Sequence, residues 1–467
     1  MTEKEIQNYI WKNRANWRDL ICEADFSEKP SHSDESSILT LDAQNLIYSN
    51  VISRLEQLYE EVIDLELFGI EVSLSKKQDS TIRADFLGMR PGAPGISIIE
   101  LKKSKQTERE AFTELLAYSN HINSLFPTHT KDDTLLVLIA PFKVRTVREA
   151  FLQTLLFEKK RVFVLIPEFE NDKVDSLRLK PYIPSFDEVV NLSEAAFAKR
   201  NFDVRVIVWY DTPEFWNNEE GETGKAEDPT DWQIALMNSV SAHAAQLMEE
   251  KQIHGFVYTS QSWPEIKMPL PNSLVLVGLN PYKVANDLYY LENFKDIKLK
   301  DIPTIGSFNT PDLRAYISGL NSKDNNEIHE NENYVEWLNM VWESHLYRIG
   351  MEVVRLVNLN VHESEVMTDR GIMTWEDYES NFIENIACFN YDIRPTGLIR
   401  ELFWETTRID YNYWRANKEH PIQGDIFNWA AETLISHSFF SEFLDRMFGD
   451  PHGIRDLEDE IEDDGED

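Results

Sequence analysis

The stretch "ISIIELKKSKQ", residues 96–106, decides how this chain is read. Four of its first six residues are apolar, as expected for a buried strand, yet it runs directly into Glu100, Lys102, Lys103 and Lys105. Along a strand, residues i and i+2 point to the same face, so Glu100 and Lys102 share a side. A charge on a strand that belongs in a core needs a partner or a task.

Working backwards, "STIRADFLGM" (80–89) sets Ile82, Ala84 and Phe86 opposite Arg83, Asp85 and Leu87, and "RPGAPG" (90–95) is built from turn residues. Residues 81–88 and 96–103 therefore read as a hairpin closed near 91–94. That register brings Asp85 beside Glu100, with room for a divalent ion between two carboxylates. Mg²⁺ takes oxygen ligands and is commonly held by one or two carboxylates together with water and phosphate oxygens. Such an ion acidifies a bound water and offsets charge on a phosphate. The Lys102 ammonium, close by, can orient the attacking hydroxide or stabilise the charge that develops on phosphorus.

On either side, the hydrophobic periods alternate between helix and strand. A helix over 43–66 carries Ile47, Val51, Leu55, Leu58, Val62 and Leu65 at three-to-four spacing. "IEVSLSKK" (70–77) alternates as a strand, and a helix over 106–125 places Phe112, Leu115, Leu116 and Ile122 on its apolar side. "DTLLVLIA" (133–140) and "RVFVLIPEF" (161–169) read as buried strands separated by a helix over 143–157. Helix, three strands, helix, strand, helix, strand predicts a mixed α/β layer fold.

Asp85 on one hairpin strand, followed by Glu100-Leu101-Lys102 at the end of the next, resembles the D…(D/E)xK motif of the PD-(D/E)XK nuclease superfamily. The order of elements over about 43–167 is similar to that superfamily's core. Glu114 to Tyr118 resembles the QxxxY signature of its RecB-like branch, with Glu in place of Gln, and "EKEIQNYIWKN" (3–13) is similar to the leading helix of some stand-alone and phage-defence members. The resemblance implies a restriction-endonuclease-like mixed sheet flanked by helices. It also implies a nuclease using Mg²⁺ or Mn²⁺ on DNA, with RNA as the alternative substrate, and a role in defence or restriction. Asp85 and Glu100 would hold the metal, the Leu101 carbonyl would add a ligand, and Lys102 would assist the attacking water. A rival reading keeps the fold as a DNA-binding or scaffold protein without the chemistry.

Around this trio, Glu114 and Tyr118 share a helix face at i and i+4, where they would flank the metal or touch a phosphate, or form a half-buried polar pair. Arg83, Lys103, Lys105 and Arg109 are candidates for salt-sensitive contacts to a nucleic-acid backbone. Glu56 and Glu61, beside the stripe of helix 43–66, read as surface residues.

Composition bounds the rest. The chain has 467 residues and a net charge of −36, against a surface that grips nucleic acid everywhere. Residues 81–165 nevertheless hold 13 Lys and Arg against 9 Asp and Glu, a basic island around the motif. The acidic remainder suits a protein partner or self-association better than DNA. Two distant cysteines, Cys22 and Cys388, make neither a disulfide framework nor a zinc site and fit a reducing compartment. With no basic-then-apolar start and no bilayer-length apolar run, the expectation is a cytoplasmic protein without membrane association.

Further along, "DVRVIVWY" (203–210), a helix from about 231, "HGFVYT" (254–259) and "SLVLVGL" (273–279) predict a second α/β unit with a right-handed strand–helix–strand crossover. The expected organisation is an N-terminal helix and linker (1–40), the core (41–170), the second unit (171–330), a helical domain (331–453) and a disordered acidic tail (454–467). "GETGKA" (221–226) lacks the glycine spacing and hydroxyl of a phosphate loop, and "VHESE" (361–365) lacks the second histidine of a zinc helix. In "IDYNYWRANKEH" (409–420), Tyr411, Tyr413 and Trp414 read first as aromatics packed inside a helical domain, with a base-stacking platform as the alternative.

Overall fold

A computed structural model describes residues 2–26, 42–73, 83–92, 95–130, 132–171, 173–190, 194–209, 231–263, 270–294, 297–307, 311, 313, 316, 334–357, 367–381, 388–422 and 437–448. The linker at 27–37, Ile82, "GETGKA", "VHESE" and the acidic tail lie outside them. The chain is α/β, with one mixed and one antiparallel sheet flanked by helices. It divides into two compact units, Met1–Pro30 with Ile47–Asn191, and Ser31–Leu46 with Leu192–Asp467.

The first unit starts with α1 (Glu3–Lys12), whose N-terminus is closed by a Thr2/Glu5 capping box. Next come α2 (Ala43–Ile63), β1 (Glu66–Ser73), β2 (Arg83–Met89), β3 (Ile96–Leu101), α3 (Lys105–Leu125), β4 (Thr134–Ile139), α4 (Arg145–Leu152), β5 (Arg161–Glu168) and β6 (Arg178–Pro181). The strands lie in this order across one sheet. β1, β2 and β3 pair antiparallel, β3, β4 and β5 pair parallel, and β6 closes antiparallel on β5. Parallel neighbours need a crossover, and α3 and α4 supply the two.

Burial follows the apolar runs. Ile98, Ile99 and Leu101 on β3, Val137 to Ile139 on β4 and Val162 to Leu165 on β5 are sealed from solvent, which is why these runs lack a polar face. Each such side chain contributes about 1.5–3 kcal/mol of transfer free energy. On α2 the buried stripe is Ile52, Leu55, Leu58 and Val62, while Ile47 and Val51 sit half-buried at its margin.

Two domain boundaries differ from the sequence reading. The N-terminal helix is part of the first unit rather than a separate leader: Ile6 and Ile10 are wholly buried, and the Trp17 indole donates to the Val62 carbonyl at 2.7 Å. That unit also runs past 170, because β6 completes its sheet.

The second unit holds β7 (Phe202–Trp209), α5 (Asp231–Glu250), β8 (Gly255–Ser262), β9 (Asn272–Leu279), α6 (Pro281–Asn293), α7 (Tyr334–Val357), β10 (Met367–Thr374), α8 (Trp375–Asn381), β11 (Cys388–Asn390), β12 (Arg394–Thr396), α9 (Gly397–Asn417) and α10 (His437–Phe448). The sheet order is β10-β7-β9-β8-β11, with β12 also on β8. β7 and β8 do flank a helix, as expected, but they are not neighbours. β9 lies between them and pairs antiparallel with both. All three strands are buried along almost their whole length, as interior strands are.

The separate helical domain expected from 331 is also corrected. α7 packs Leu346, Ile349, Val353 and Val354 against Ile207, Leu274 and Leu276 of the sheet, and β10 adds an edge strand. On α9, Tyr411 stacks on Trp414 with ring centroids 6.0 Å apart; Tyr411 is exposed rather than packed inside, while Tyr413 and Trp414 are half-buried. Among the described residues, no helix is long and apolar enough to cross a membrane.

One glycine is decisive for the hairpin. Gly95 has φ +102°, and a Cβ there would run into the Asp133 carbonyl, which accepts from Ile96 N at 2.9 Å. Gly95→Ala is expected to destabilise the first unit by about 1–3 kcal/mol, read as a lower denaturation midpoint. An unchanged midpoint would contradict the close approach.

Candidate active site

The register Phe86↔Ile99 and Leu87↔Ile98, carried one step, sets Asp85 across from Glu100. Opposed residues on antiparallel strands share a face, so the two carboxylates and Lys102 lie on the same side. Asp85 Oδ2 accepts from the Leu101 amide at 2.8 Å. Lys102 Nζ donates to Glu100 Oε1 at 2.6 Å and pairs with Glu114 Oε2 at 2.5 Å. Glu100 and Lys102 are buried, the first with 3% exposure and the second with 9%. The other Glu100 oxygen, Oε2, is buried and has no hydrogen-bond partner among the described residues.

Why the chain places charge here follows from the strand. β3 runs apolar up to Ile99, and its parallel neighbour β4 takes its last ladder contacts at Leu101 and through Lys102 N to Ile139 O, 2.8 Å. The C-terminal end of a parallel strand is where the sheet opens toward the following loop and helix, so side chains there meet both. α3 then lays Glu114 on Lys102, one helical turn before Tyr118, which is buried.

Electrostatics set the character of the cluster. Three carboxylates (Asp85, Glu100, Glu114) surround one ammonium. Burial, with repulsion from Asp85 adding to it, pushes the Glu100 carboxyl up to about 9. Burial likewise raises Asp85 to about 6, partly opposed by its bond from the Leu101 amide. For Lys102, burial pulls the ammonium down, but the hydrogen bonds to Glu100 and Glu114 more than offset it and hold it above its ordinary value. Burial raises the Tyr118 phenol, and the neighbouring Glu100 adds to the effect. The ammonium stays charged, and of the carboxyls Glu100 is the one whose surroundings most favour the protonated form in the absence of a cation.

The fit to a divalent cation rests on that donor set: hard oxygen ligands, one of them an orphaned buried oxygen, in excess negative charge. Among the described residues, no group of three or more His, Cys, Asp or Glu side chains forms a ready metal cage. Two carboxylates with water and a phosphate oxygen are the matching set for Mg²⁺.

The other sequence candidates fall into place around this centre. The Leu101 side chain is buried, and its amide is the group that touches Asp85. Arg83, Lys103 and Arg109 are exposed. Lys105 opens α3, and its side chain lies outside the described residues. Glu61 is not at the centre; it pairs with Arg161.

Sequence reasoning missed the contribution of α1. Gln7 is 2% exposed and donates from Nε2 to Asp85 Oδ1 at 2.9 Å, while its own oxygen accepts from Lys4 Nζ at 2.9 Å. Lys4 also bonds Glu71 on β1 at 2.9 Å, and Glu3 accepts from the Lys103 amide at 3.1 Å. The signal was available: Gln7 lies next to Ile6 and three residues before Ile10, the two wholly buried positions, so a polar side chain there faces inward and needs a partner.

A carboxyl whose native value lies above its unfolded value of 4.5 contributes stability that is complete below that value and is lost as pH rises toward about 9. Glu100→Gln removes this titration. In chelator-containing buffer, the variant should gain stability relative to the native sequence as pH climbs from about 4.5 to about 9; parallel thermal-midpoint curves would disprove the assignment. No protein-family model matches the chain, and no curated protein shows significant similarity to it.

Proposed function

We propose that the first unit is a metal-dependent nuclease of the PD-(D/E)XK kind, hydrolysing phosphodiester bonds of DNA with Mg²⁺ or Mn²⁺. The observation that carries this reading is one buried and two half-buried carboxylates, Glu100 with Asp85 and Glu114, around a single ammonium, with Asp85, Glu100 and Lys102 on one face of the sheet.

In this reading Asp85 and Glu100 hold the cation, and the carbonyl of Leu101 is the adjacent backbone oxygen. A divalent cation so bound would lower the pKa of a coordinated water and offset charge on the scissile phosphate. Gln7 and the Leu101 amide each donate to a different oxygen of Asp85, so its carboxylate is fixed in orientation. Lys102, held between Glu100 and Glu114, stays an ammonium; it is not a base. Its role is to orient the attacking oxygen and to oppose the negative charge that grows on the phosphoryl oxygens. The exposed Arg83, Lys103 and Arg109 provide phosphate contacts around the centre.

A cleavage assay with plasmid, linear duplex, single-stranded DNA and RNA tests the proposal. Cutting should require Mg²⁺ or Mn²⁺, stop on chelation, and fall at least about a hundredfold in each of Asp85→Ala, Glu100→Ala and Lys102→Ala. DNA binding without cutting, unaffected by Lys102→Ala, would instead identify a nuclease-fold binding protein.

Gln7→Ala tests the hold on Asp85 separately. It should raise the metal concentration needed for half-maximal cleavage by about 10–100-fold, with recovery at saturating metal. An unchanged metal requirement would show that the helix contributes stability alone.

A further inference from the structure

The second unit contains a cavity of about 640 Å³ that has no part in the chemistry proposed above. Its size is within the range of small-molecule sites, about 300–1,000 Å³. Lys199, Arg200, Lys283 and Lys300 all line it, four cations from three separate segments in a chain of net charge −36.

The wall behind these cations is built. Asn201 and Asp287 are wholly buried, and Asn201 Nδ2 donates to Asp287 Oδ2 at 2.9 Å. Arg200 lies on the other Asp287 oxygen at 3.2 Å and donates to the carbonyls of Leu299, 2.6 Å, and Ile302, 3.2 Å. Its guanidinium is thereby fixed in place. One turn before Asp287 on α6, Lys283 pairs with the buried Asp203. Lys199 contacts Glu379 at 2.9 Å.

The hydrogen-bond inventory shows what the cavity can recognise. Asp203 and Asp287 face the cations from inside the wall, and two further acids line the cavity, Glu376 and Asp377, the latter accepting from the Thr374 hydroxyl at 2.8 Å. Each Lys ammonium carries three protons and the Arg guanidinium five, more than their wall partners use. Lys300 has no ion pair among the described residues. Four cations against three acids leave the lining with a positive charge in excess, and its spare N–H donors match an acceptor-rich anion.

We propose that this cavity binds a small phosphate-bearing ligand of nucleotide size, its phosphate oxygens taken by Arg200, Lys283 and Lys300. The bound anion is a second ligand of the chain, separate from any nucleic acid handled by the first unit.

Isothermal titration of the full chain with inorganic pyrophosphate and with ADP tests this. Lys300→Glu disturbs no ion pair of the wall, and Lys283→Gln keeps a donor for Asp203. Both probes should bind the native sequence, and each substitution should weaken binding by about tenfold or more, the equivalent of one lost charge contact. Circular dichroism would verify that both variants are folded. Asp85→Ala should bind as the native sequence does, which separates this site from the proposed nuclease centre. Absence of binding by both probes at millimolar concentration, or unchanged affinity in both variants, would overturn the proposal.

Discussion

One ammonium serving three carboxylates at the end of a buried strand is the constraint around which the first unit is organised. Lys102 is within 2.6 Å of Glu100 and 2.5 Å of Glu114, and Asp85 is beside them across the hairpin. Burying this much like charge is unfavourable, and here its effect is visible in carboxyl groups that hold protons well above their ordinary range. The surrounding structure offsets part of the strain with hydrogen bonds: the Leu101 amide and the Gln7 side chain both donate to Asp85. A protein whose only need was stability would do better with apolar side chains in these positions. The proposed binding of a cation and a phosphate rests on this arrangement.

The rest of the first unit holds these groups in register. A one-residue slip of β2 against β3 would turn Asp85 to the opposite face, so the hairpin has to be closed tightly. Gly95 sets where β3 starts beside β4, since its positive φ and missing Cβ let the strand begin against Asp133. The parallel pairing of β3 with β4 then fixes where β3 ends, and α3 returns over that end with Glu114 and Tyr118. α1 secures the opposite side through Glu3, Lys4 and Gln7. Each element meets the charged cluster with one to three polar side chains.

In the second unit charge is handled differently. Buried Asp203 and Asp287 each meet a cation that also lines a cavity, so the ion pairs form part of its wall. Its sheet is built around β9, which has β7 on one side and β8 on the other. β10, from far along the chain, pairs antiparallel with β7 as an edge.

Asp85, Glu100 and Lys102 could be picked out from the sequence because strand alternation and a turn of prolines and glycines are local signals, and local geometry alone puts them on one side of a hairpin. Glu114 and Tyr118 were legible for the same reason, since helical spacing is local. Gln7 was half legible: its neighbours marked an inward face, but which group it would meet, 78 residues away, depended on packing. Strand order in the second unit, the attachment of α7 and β10 to its sheet and the gathering of Arg200, Lys283 and Lys300 around a cavity were decided by tertiary structure alone. Hydrophobic period tells a residue whether it faces in or out; only the competition among all buried faces for partners decides which inward faces meet.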